Sequence, residues 1–82
     1  MRKFNNCLIT GITGSGGSYL AEHIISKKLK TKIHGFYRSN GYKDLLKKKC
    51  GKKINFIKVD LTDYRNTYTN LKKIKPDLIF HL

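Results

Sequence analysis

Short apolar segments alternate along the chain with polar stretches of helical periodicity. Four of these segments are rich in β-branched and aromatic residues and are predicted as strands; they cover residues 7–10, 31–37, 54–59 and 78–82. The first is almost continuously apolar, as in strands that are buried on both faces of a parallel sheet. Strands that alternate with helical segments predict an α/β protein with a parallel sheet.

The first two helices are predicted from apolar spacing. After Gly17, apolar residues recur at helical intervals over about three turns, at Leu20, Ala21, Ile24, Ile25 and Leu29. A second helix is predicted over residues 42–50, with Leu45 and Leu46 facing inward. Gly51 is expected to end it as a C-cap.

The third helix is predicted to begin at a cap residue, Thr62 or Asp63, and to end before Pro76. Four of its residues fall on one stripe of the helix: Tyr64, Tyr68, Leu71 and Ile74. Right-handed crossovers then give the strand order 3-2-1-4, which is the first half of a doubly wound, Rossmann-like fold. Because the sequence ends in an apolar strand, we expect residues 1–82 to be the incomplete N-terminal part of a dinucleotide-binding domain.

The composition is that of a globular protein, with 39% hydrophobic and 28% charged residues. Its 82 residues allow at most one small domain, which excludes a two-domain enzyme. No apolar run approaches the ~20 residues of a membrane span, and residues 1–6 do not lead into a secretory signal, so no membrane partner is expected. The two cysteines, Cys7 and Cys50, are too few for a disulfide scaffold, which favours a reduced, cytoplasmic setting. They also lack the spacing of metal ligands, so no metal site is expected.

The net charge of +13 first suggests a polyanionic partner. The alternative is a solvated, lysine-rich surface that results from AT-rich codon usage, and the predominance of Lys over Arg favours it. The densest basic cluster lies within residues 47–53 and has no interleaved aromatic residues, so a nucleic acid partner is not expected. A small basic module that binds nucleotides or nucleic acid is retained as the competing hypothesis.

Gly11, Gly14 and Gly17 form a G-x-x-G-x-x-G motif between the first strand and the first helix. The first glycine permits a tight turn, the second lets the backbone approach a pyrophosphate, and the third permits close packing of helix on strand. An anion at this turn would meet the N–H groups and the positive dipole end of the helix. A P-loop is disfavoured because Gly17 stands where its lysine would be, so a dinucleotide is the expected ligand.

Arg38 stands at the end of the second strand. In dinucleotide-binding folds, the residue at this position distinguishes the 2′-hydroxyl of NAD from the 2′-phosphate of NADP. An arginine there attracts a 2′-phosphate, so NADP is favoured over NAD, with Ser39 and Asn40 as further donors; alternatively, Arg38 is only an exposed strand end. Asp60, after the third strand, can accept a hydrogen bond from the adenine amino group while Leu61 lines the base. Alternatively, Asp60 only caps the next turn.

Several of these motifs together resemble the N-terminal part of the GDP-mannose 4,6-dehydratases, which are extended short-chain dehydrogenases/reductases. The resemblance extends from residue 7 to residue 82 and is carried by residues 8–14, 17–22, 34–35, 38–39, 60–63 and 75–76. The Gly-Ser-Tyr-Leu-Ala-Glu sequence after the glycine turn is its most specific part. Ser15-Gly16 departs from the Gln-Asp of the family, which leaves other sugar-nucleotide epimerases and dehydratases as alternatives.

This resemblance implies an NADP-dependent lyase that removes water from a nucleotide sugar, GDP-mannose, and that is a homo-oligomer when full length. It also implies a set of cofactor-binding residues: Gly11, Thr13, Gly14, Ser15, Gly16, Gly17, Arg38, Asp60, Leu61 and Leu82. The Tyr-x-x-x-Lys pair, Ser or Thr, and Glu that the family uses in catalysis lie beyond position 82. Tyr68 and Lys72 have the spacing of that pair but follow the wrong strand, so no catalytic residue is assigned and the chain alone is expected to be inactive and marginally stable.

Overall fold

The computed structural model describes residues 5–27, 30–39, 41 and 43–82, which fold around one parallel sheet. The strands are β1 (Asn6–Thr10), β2 (Lys32–Tyr37), β3 (Ile54–Lys58) and β4 (Leu78–His81). Their order in the sheet is β3-β2-β1-β4, and each neighbouring pair is parallel. The α/β class, the Rossmann-like order 3-2-1-4 and the position of every predicted strand are thus confirmed.

Three helices connect the strands: α1 (Ser15–Ser26), α2 (Lys43–Cys50) and α3 (Tyr64–Ile74), with a short 3-10 turn at Gly51–Lys53. Helix α1 begins at Ser15, earlier than the apolar spacing predicts, because the glycines after it belong to its first turn. Gly51 has a φ of +60°, as a glycine C-cap requires. Leu29 and Tyr42, which were predicted to belong to helices, lie outside the described residues.

Helix α3 has the predicted start and end. Asp63, rather than Thr62, is its N-cap, because Asp63 Oδ1 accepts the N–H of Asn66 at 3.2 Å. The helix ends at Ile74, and Lys75 has a φ of 50° just before Pro76. The left-handed residue and the proline together prevent the helix from continuing.

The two faces of the sheet are covered by different helices. Helices α1 and α2 pack on one face, and the larger buried cluster is formed there by Cys7, Ile9, Ile12, Ala21, Ile33, Leu46, Cys50 and Ile54. Helix α3 packs on the other face, where Leu8, Phe36, Val59 and Ile74 are buried. We call these the α1/α2 face and the α3 face. Because side chains alternate along a strand, neighbouring residues such as Cys7 and Leu8 point to opposite faces.

Two predicted packing faces are only partly correct. Leu46 of α2 is buried, but Leu45 is 52% exposed. On α3, Tyr64 and Tyr68 are 82% and 62% exposed, so the predicted apolar stripe is not buried along its whole length. The physical reason is that the apolar contacts of α3 with the sheet come from its C-terminal turns, through Leu71 and Ile74.

The helices are short compared with a bilayer. Helix α1 has 12 residues, which corresponds to a length of about 18 Å. None of the helices within the described ranges is long and apolar enough to cross a membrane.

Candidate functional site

The glycine turn joins the carboxyl end of β1 to the start of α1. Gly11 has a φ of +69°, and the turn is closed by a hydrogen bond of 3.1 Å from the Gly14 N–H to the Gly11 carbonyl. The N–H groups of Gly11 and Ile12 both donate to the carbonyl of Phe36, at 3.0 and 3.3 Å. These bonds hold the turn against the carboxyl end of β2.

The third glycine of the motif lies where helix and turn are in contact. A Cβ on Gly17 would be 2.7 Å from Cα of Ile12 and 3.0 Å from the carbonyl carbon of Gly11, which is closer than real Cβ contacts. The hydroxyl of Ser18 donates to the Ile12 carbonyl at 2.9 Å and is buried. The Ile12 side chain fills the space beside Gly35, whose added Cβ would be 2.9 Å from the Ile12 Cβ. The close packing expected at Gly17 is therefore present.

The exposed rim of the turn is formed by Gly14, Ser15 and Gly16. Gly14 is the N-cap of α1 and has no side chain to accept a hydrogen bond from the helix, whose first turn contains no acidic residue. The first N–H groups of an α-helix have no acceptor within the helix, and the helix dipole adds positive charge there. An added Cβ on Gly14 would meet only the Gly11 carbonyl oxygen, at 3.4 Å, so the backbone can be approached from outside. The turn fits a diphosphate anion.

A groove of about 370 Å³ opens beside the glycine turn, at the carboxyl ends of β2 and β3. Its lining residues are Gly11, Phe36, Tyr37, Arg38, Val59, Asp60, Leu61, Thr62 and Leu82. It thus brings together five of the ten predicted binding residues. The other five belong to the turn next to it, and Ser15 also lines a separate depression between α1 and α2.

Asp60 and Arg38 both line this groove. Asp60 Oδ1 accepts the hydroxyl of Thr62 at 2.7 Å and its N–H at 3.0 Å. These two hydrogen bonds lower the pKa of Asp60, and the positive charge of Arg38 lowers it further. Asp60 therefore caps the turn after β3, as one interpretation expected, and also lines the groove, where Oδ2 is not used by that turn.

Thr13 connects the glycine turn to the loop that follows β2. Its side chain is buried, and its hydroxyl donates to the Ser39 carbonyl at 2.7 Å. Gly41 has a φ of +41°, and its added Cβ would lie 3.3 Å from the carbonyl carbon of Thr13. The loop thus rests directly on the turn, and only the glycine at position 41 hints at this contact in the sequence. Asn40, predicted as a further donor, lies outside the described residues.

The Thr10 hydroxyl forms hydrogen bonds between the carboxyl ends of β1 and β4. Its hydroxyl oxygen lies 2.7 Å from Nδ1 of His81 and accepts the N–H of Leu82 at 3.2 Å. An added Cβ on Gly11 would be 3.3 Å from the Leu82 carbonyl oxygen, so Leu82 forms a wall of the groove beside the turn. Sequence reasoning identified Leu82 by resemblance but did not identify Thr10 or His81.

Tyr68 and Lys72, which have the spacing of the family's catalytic pair, contact each other on α3. Lys72 Nζ lies over the Tyr68 ring, 5.4 Å from its centre, in a cation–π contact. His23 stacks on Tyr19, with ring centres 6.5 Å apart. In the part of the chain that the structure describes, no three His, Cys, Asp or Glu side chains are grouped as metal ligands would be.

Comparison with known proteins gives consistent matches over almost the whole chain. The sequence model of the family described as GDP-mannose 4,6 dehydratase matches residues 8–82. The chain is 35% identical over 85 residues to GDP-mannose 4,6-dehydratase of Vibrio cholerae serotype O1, a match that covers 92% of this chain and 22% of that protein. It is 37% identical over 87 residues to GDP-mannose 4,6 dehydratase of Dictyostelium discoideum, covering 92% and 23%.

A solved structure has the same fold. The UDP-Glc/GlcNAc 4-epimerase of Campylobacter jejuni superposes with a TM-score of 0.84 at 24% identity, over 95% of this chain and 24% of that one. The chain therefore spans about a quarter of the length of the proteins that it matches.

Proposed function

Because this chain belongs to the GDP-mannose 4,6-dehydratase family, we propose that it binds NADP for the dehydration of a nucleotide sugar, GDP-mannose. The family depends on a nicotinamide dinucleotide. The observation that carries the proposal is the groove in which Arg38 and Asp60 lie next to the glycine turn. It combines an anion-binding turn with a cation at the end of β2, where a carboxylate would favour NAD.

The glycine turn is the proposed diphosphate site. Its exposed rim offers backbone N–H groups, and it includes Gly11, Thr13, Gly14, Ser15, Gly16 and Gly17. Gly17 contributes by letting α1 approach the end of β1, and Thr13 by holding the loop after β2 in position. We expect these two to position the turn and the rim to contact the anion.

The groove is the proposed adenosine site. The guanidinium of Arg38 is exposed there and suits a 2′-phosphate through charge-assisted hydrogen bonds. Asp60 Oδ2 is available to accept from the adenine amino group, and Leu61, which is 37% exposed, offers an apolar surface to the base. Leu82 closes the groove beside Gly11.

When bound, NADP would accept hydride from C4 of the sugar and return it to C6 after water is lost across C5 and C6. The residues of this chain hold the dinucleotide and shape its groove, and we assign no proton transfer to any of them. A related sugar-nucleotide epimerase or dehydratase is the alternative, because Ser15-Gly16 departs from the Gln-Asp that GDP-mannose 4,6-dehydratases have at these positions.

Calorimetric titration with NADP, NAD and a short oligonucleotide at physiological salt tests the proposal. We expect NADP to bind more tightly than NAD, and Arg38→Ala to weaken NADP by about tenfold or more while NAD changes little. Arg65→Ala is the matched control, because Arg65 is an exposed arginine of α3 that does not line the groove. Equal affinity of Arg38→Ala and the unchanged chain for NADP would overturn the choice of cofactor. Oligonucleotide binding without a response to either dinucleotide would favour the basic module instead.

A further inference from the structure

The α3 face of the sheet carries a polar row near the amino ends of β1, β2 and β3. His34 of β2 is half-buried and lies between two asparagines: its Nε2 is 3.2 Å from Asn6 Oδ1, and its Nδ1 is 3.1 Å from Asn55 Nδ2. Further along the same face, Leu8 and Phe36 are buried beneath α3. Asn6 and His34 are half-buried and Asn55 is exposed, so the row forms a polar, solvent-accessible end to a face that is otherwise packed against a helix.

The hydrogen bonds of this row determine which groups remain available. The amide nitrogen of Asn55 can only donate, so Nδ1 of His34 accepts and Nε2 carries the proton. Nε2 then donates to Asn6 Oδ1, and the side-chain amide nitrogen of Asn6 keeps its donors. The row therefore engages the oxygen of Asn6 and leaves its nitrogen for a partner that accepts hydrogen bonds.

A cavity of about 370 Å³ lies over this row, between the sheet and α3. Lys32 of β2 and Lys73 of α3 line it, and no carboxylate is among its lining residues. Within the described ranges, neither lysine forms an ion pair. The cavity is thus lined by two lysines and by an asparagine whose amide nitrogen keeps its donors, around a volume that can hold a hydrated anion.

The other polar groups nearby are already engaged. The amide nitrogen of Asn70, which also lines the cavity, donates to the carbonyl and the side-chain oxygen of Asn66 at 2.9 and 3.0 Å. Asp77 is the nearby negative charge; its carboxylate oxygens accept the N–H groups of Asn5 and Asn6, and it does not line the cavity. The charged groups that do line it are both positive.

We propose that this cavity is a phosphate site, which takes a phosphate dianion either free or as the terminal group of a phosphomonoester. Lys32 and Lys73 supply the charge, and Asn6 supplies a neutral donor whose orientation is fixed by His34. The site is separate from the dinucleotide groove, because it lies at the amino ends of strands whose carboxyl ends form that groove. A five-residue strand such as β1 separates the two by about 17 Å.

His34 provides a readout of occupancy that does not depend on catalysis. Burial lowers the pKa of His34, and the positive charge of Lys32 lowers it further. A bound phosphate dianion would offset the charge of Lys32, so the pKa of His34 should rise towards its ordinary value. His23 on α1 and His81 at the opposite end of the sheet are internal controls, since neither lines the cavity.

The test follows the histidine C–H resonances by NMR during titration with inorganic phosphate, and separately with a hexose phosphate, at constant ionic strength. We expect saturable shifts at His34 alone and an increase in its titration midpoint. Lys32→Ala and Lys73→Ala should each weaken binding by about fivefold or more, whereas Lys47→Ala, which removes an exposed lysine of α2 on the other face, should not. All three lysines are exposed, so the fold should tolerate each change.

Asn6→Asp is a further variant, because it keeps an oxygen for His34 but replaces the amide donor by a negative charge; we expect it to abolish binding. Tighter binding of the hexose phosphate would identify a phosphomonoester as the ligand, and equal binding would identify free phosphate. Non-saturable shifts, equal shifts at all three histidines, or equal affinity in the Lys32→Ala and Lys47→Ala variants would overturn the proposal.

Discussion

The hydroxyl oxygen of Thr10 lies 2.7 Å from Nδ1 of His81, at the carboxyl ends of two strands that are adjacent in the sheet and 71 residues apart in sequence. The same oxygen accepts the N–H of Leu82 at 3.2 Å. Because it can accept from Leu82 while donating its own proton to His81, Thr10 satisfies two groups at once. It thereby fixes the end of β4 beside the glycine turn.

Replacement of Thr10 by valine should destabilise the protein by about 0.5–1.5 kcal/mol, because its buried hydroxyl makes two hydrogen bonds, although the exposed Leu82 N–H and His81 ring can turn to water when it is lost. Valine keeps the shape of threonine, so the change isolates the hydroxyl. The measurement is urea unfolding followed by circular dichroism. Thr69→Val is the control: its hydroxyl donates within α3 to the Arg65 carbonyl and is exposed, so its loss should cost less than about 0.5 kcal/mol. Equal unfolding midpoints for the two variants would show that the Thr10 contacts contribute nothing.

The two adjacent glycines of the α1 first turn should respond in opposite ways to alanine. Gly17→Ala should destabilise by about 1–3 kcal/mol, because its Cβ would press on Cα of Ile12 at 2.7 Å, and backbone atoms cannot move aside as a side chain can. At Gly16 a Cβ would meet only the Leu82 side chain, at 4.0 Å, so Gly16→Ala should stabilise by up to about 1 kcal/mol through helix propensity. Thermal melting of both variants is sufficient. Stabilisation by Gly17→Ala would contradict the tight packing of α1 on the turn.

The strands and the glycine turn could be predicted because they depend on local pattern. A short apolar run such as residues 7–10, followed at once by Gly11, is typical of a buried parallel strand, and the glycine motif with α/β alternation favours the sheet order 3-2-1-4. The position of Gly17 is informative for the same reason, since only glycine fits against Ile12. These are properties of the backbone and of residues close in sequence.

Other features depend on contacts between distant segments and could not be predicted. Helical spacing puts Tyr64 and Tyr68 in line with Leu71, but it does not reveal how much of α3 the sheet covers, and the two tyrosines are exposed. Thr10 and Thr13 are ordinary strand and turn residues by type, so nothing in their local sequence indicates a bond to His81 or to Ser39. Such bonds become visible only when the strands are placed side by side.

The hydrogen bonds of Asp60, together with the positive charge of Arg38, give a prediction about pH. The N–H resonance of Thr62 should shift as Asp60 is protonated, with a midpoint below the ordinary Asp value of 3.8, because hydrogen bonds from Thr62 favour the carboxylate. Since the folded pKa is depressed, the turn is fully stabilised at neutral pH and loses that stabilisation as the pH falls through the Asp60 pKa. Arg38→Ala should move the midpoint upwards by removing a nearby positive charge, and Arg65→Ala should leave it in place. A midpoint unaffected by Arg38→Ala would show that the two groups are not coupled.

Cys7 gives a prediction at the alkaline end. Its side chain is fully buried between β1 and the helices of the α1/α2 face, and burial, with a smaller effect of the negative charge of Asp77, raises the pKa of Cys7 from 9.0 to about 11. The folded state therefore holds the thiol proton more tightly than the unfolded state does. The protonated Cys7 thiol therefore contributes its full stabilisation of the folded state below pH 9, and this contribution is lost as the pH rises towards the folded pKa of about 11.

We expect the free energy of unfolding to fall by about 1–2 kcal/mol more in the unchanged chain than in Cys7→Ala between these two pH values. Lysines also titrate in this range, so the difference between the two proteins, rather than either curve alone, measures the contribution of Cys7. Cys50→Ala is the matched control: burial and the negative charge of Glu22 also raise the pKa of Cys50, but the positive charges of Lys53 and Lys49 oppose that rise. Its pH-dependent difference should therefore be smaller. If Cys7→Ala and the unchanged chain lost stability in parallel, the thiol would have to ionise as readily in the folded protein as in the unfolded one, and the closed packing around β1 would be wrong.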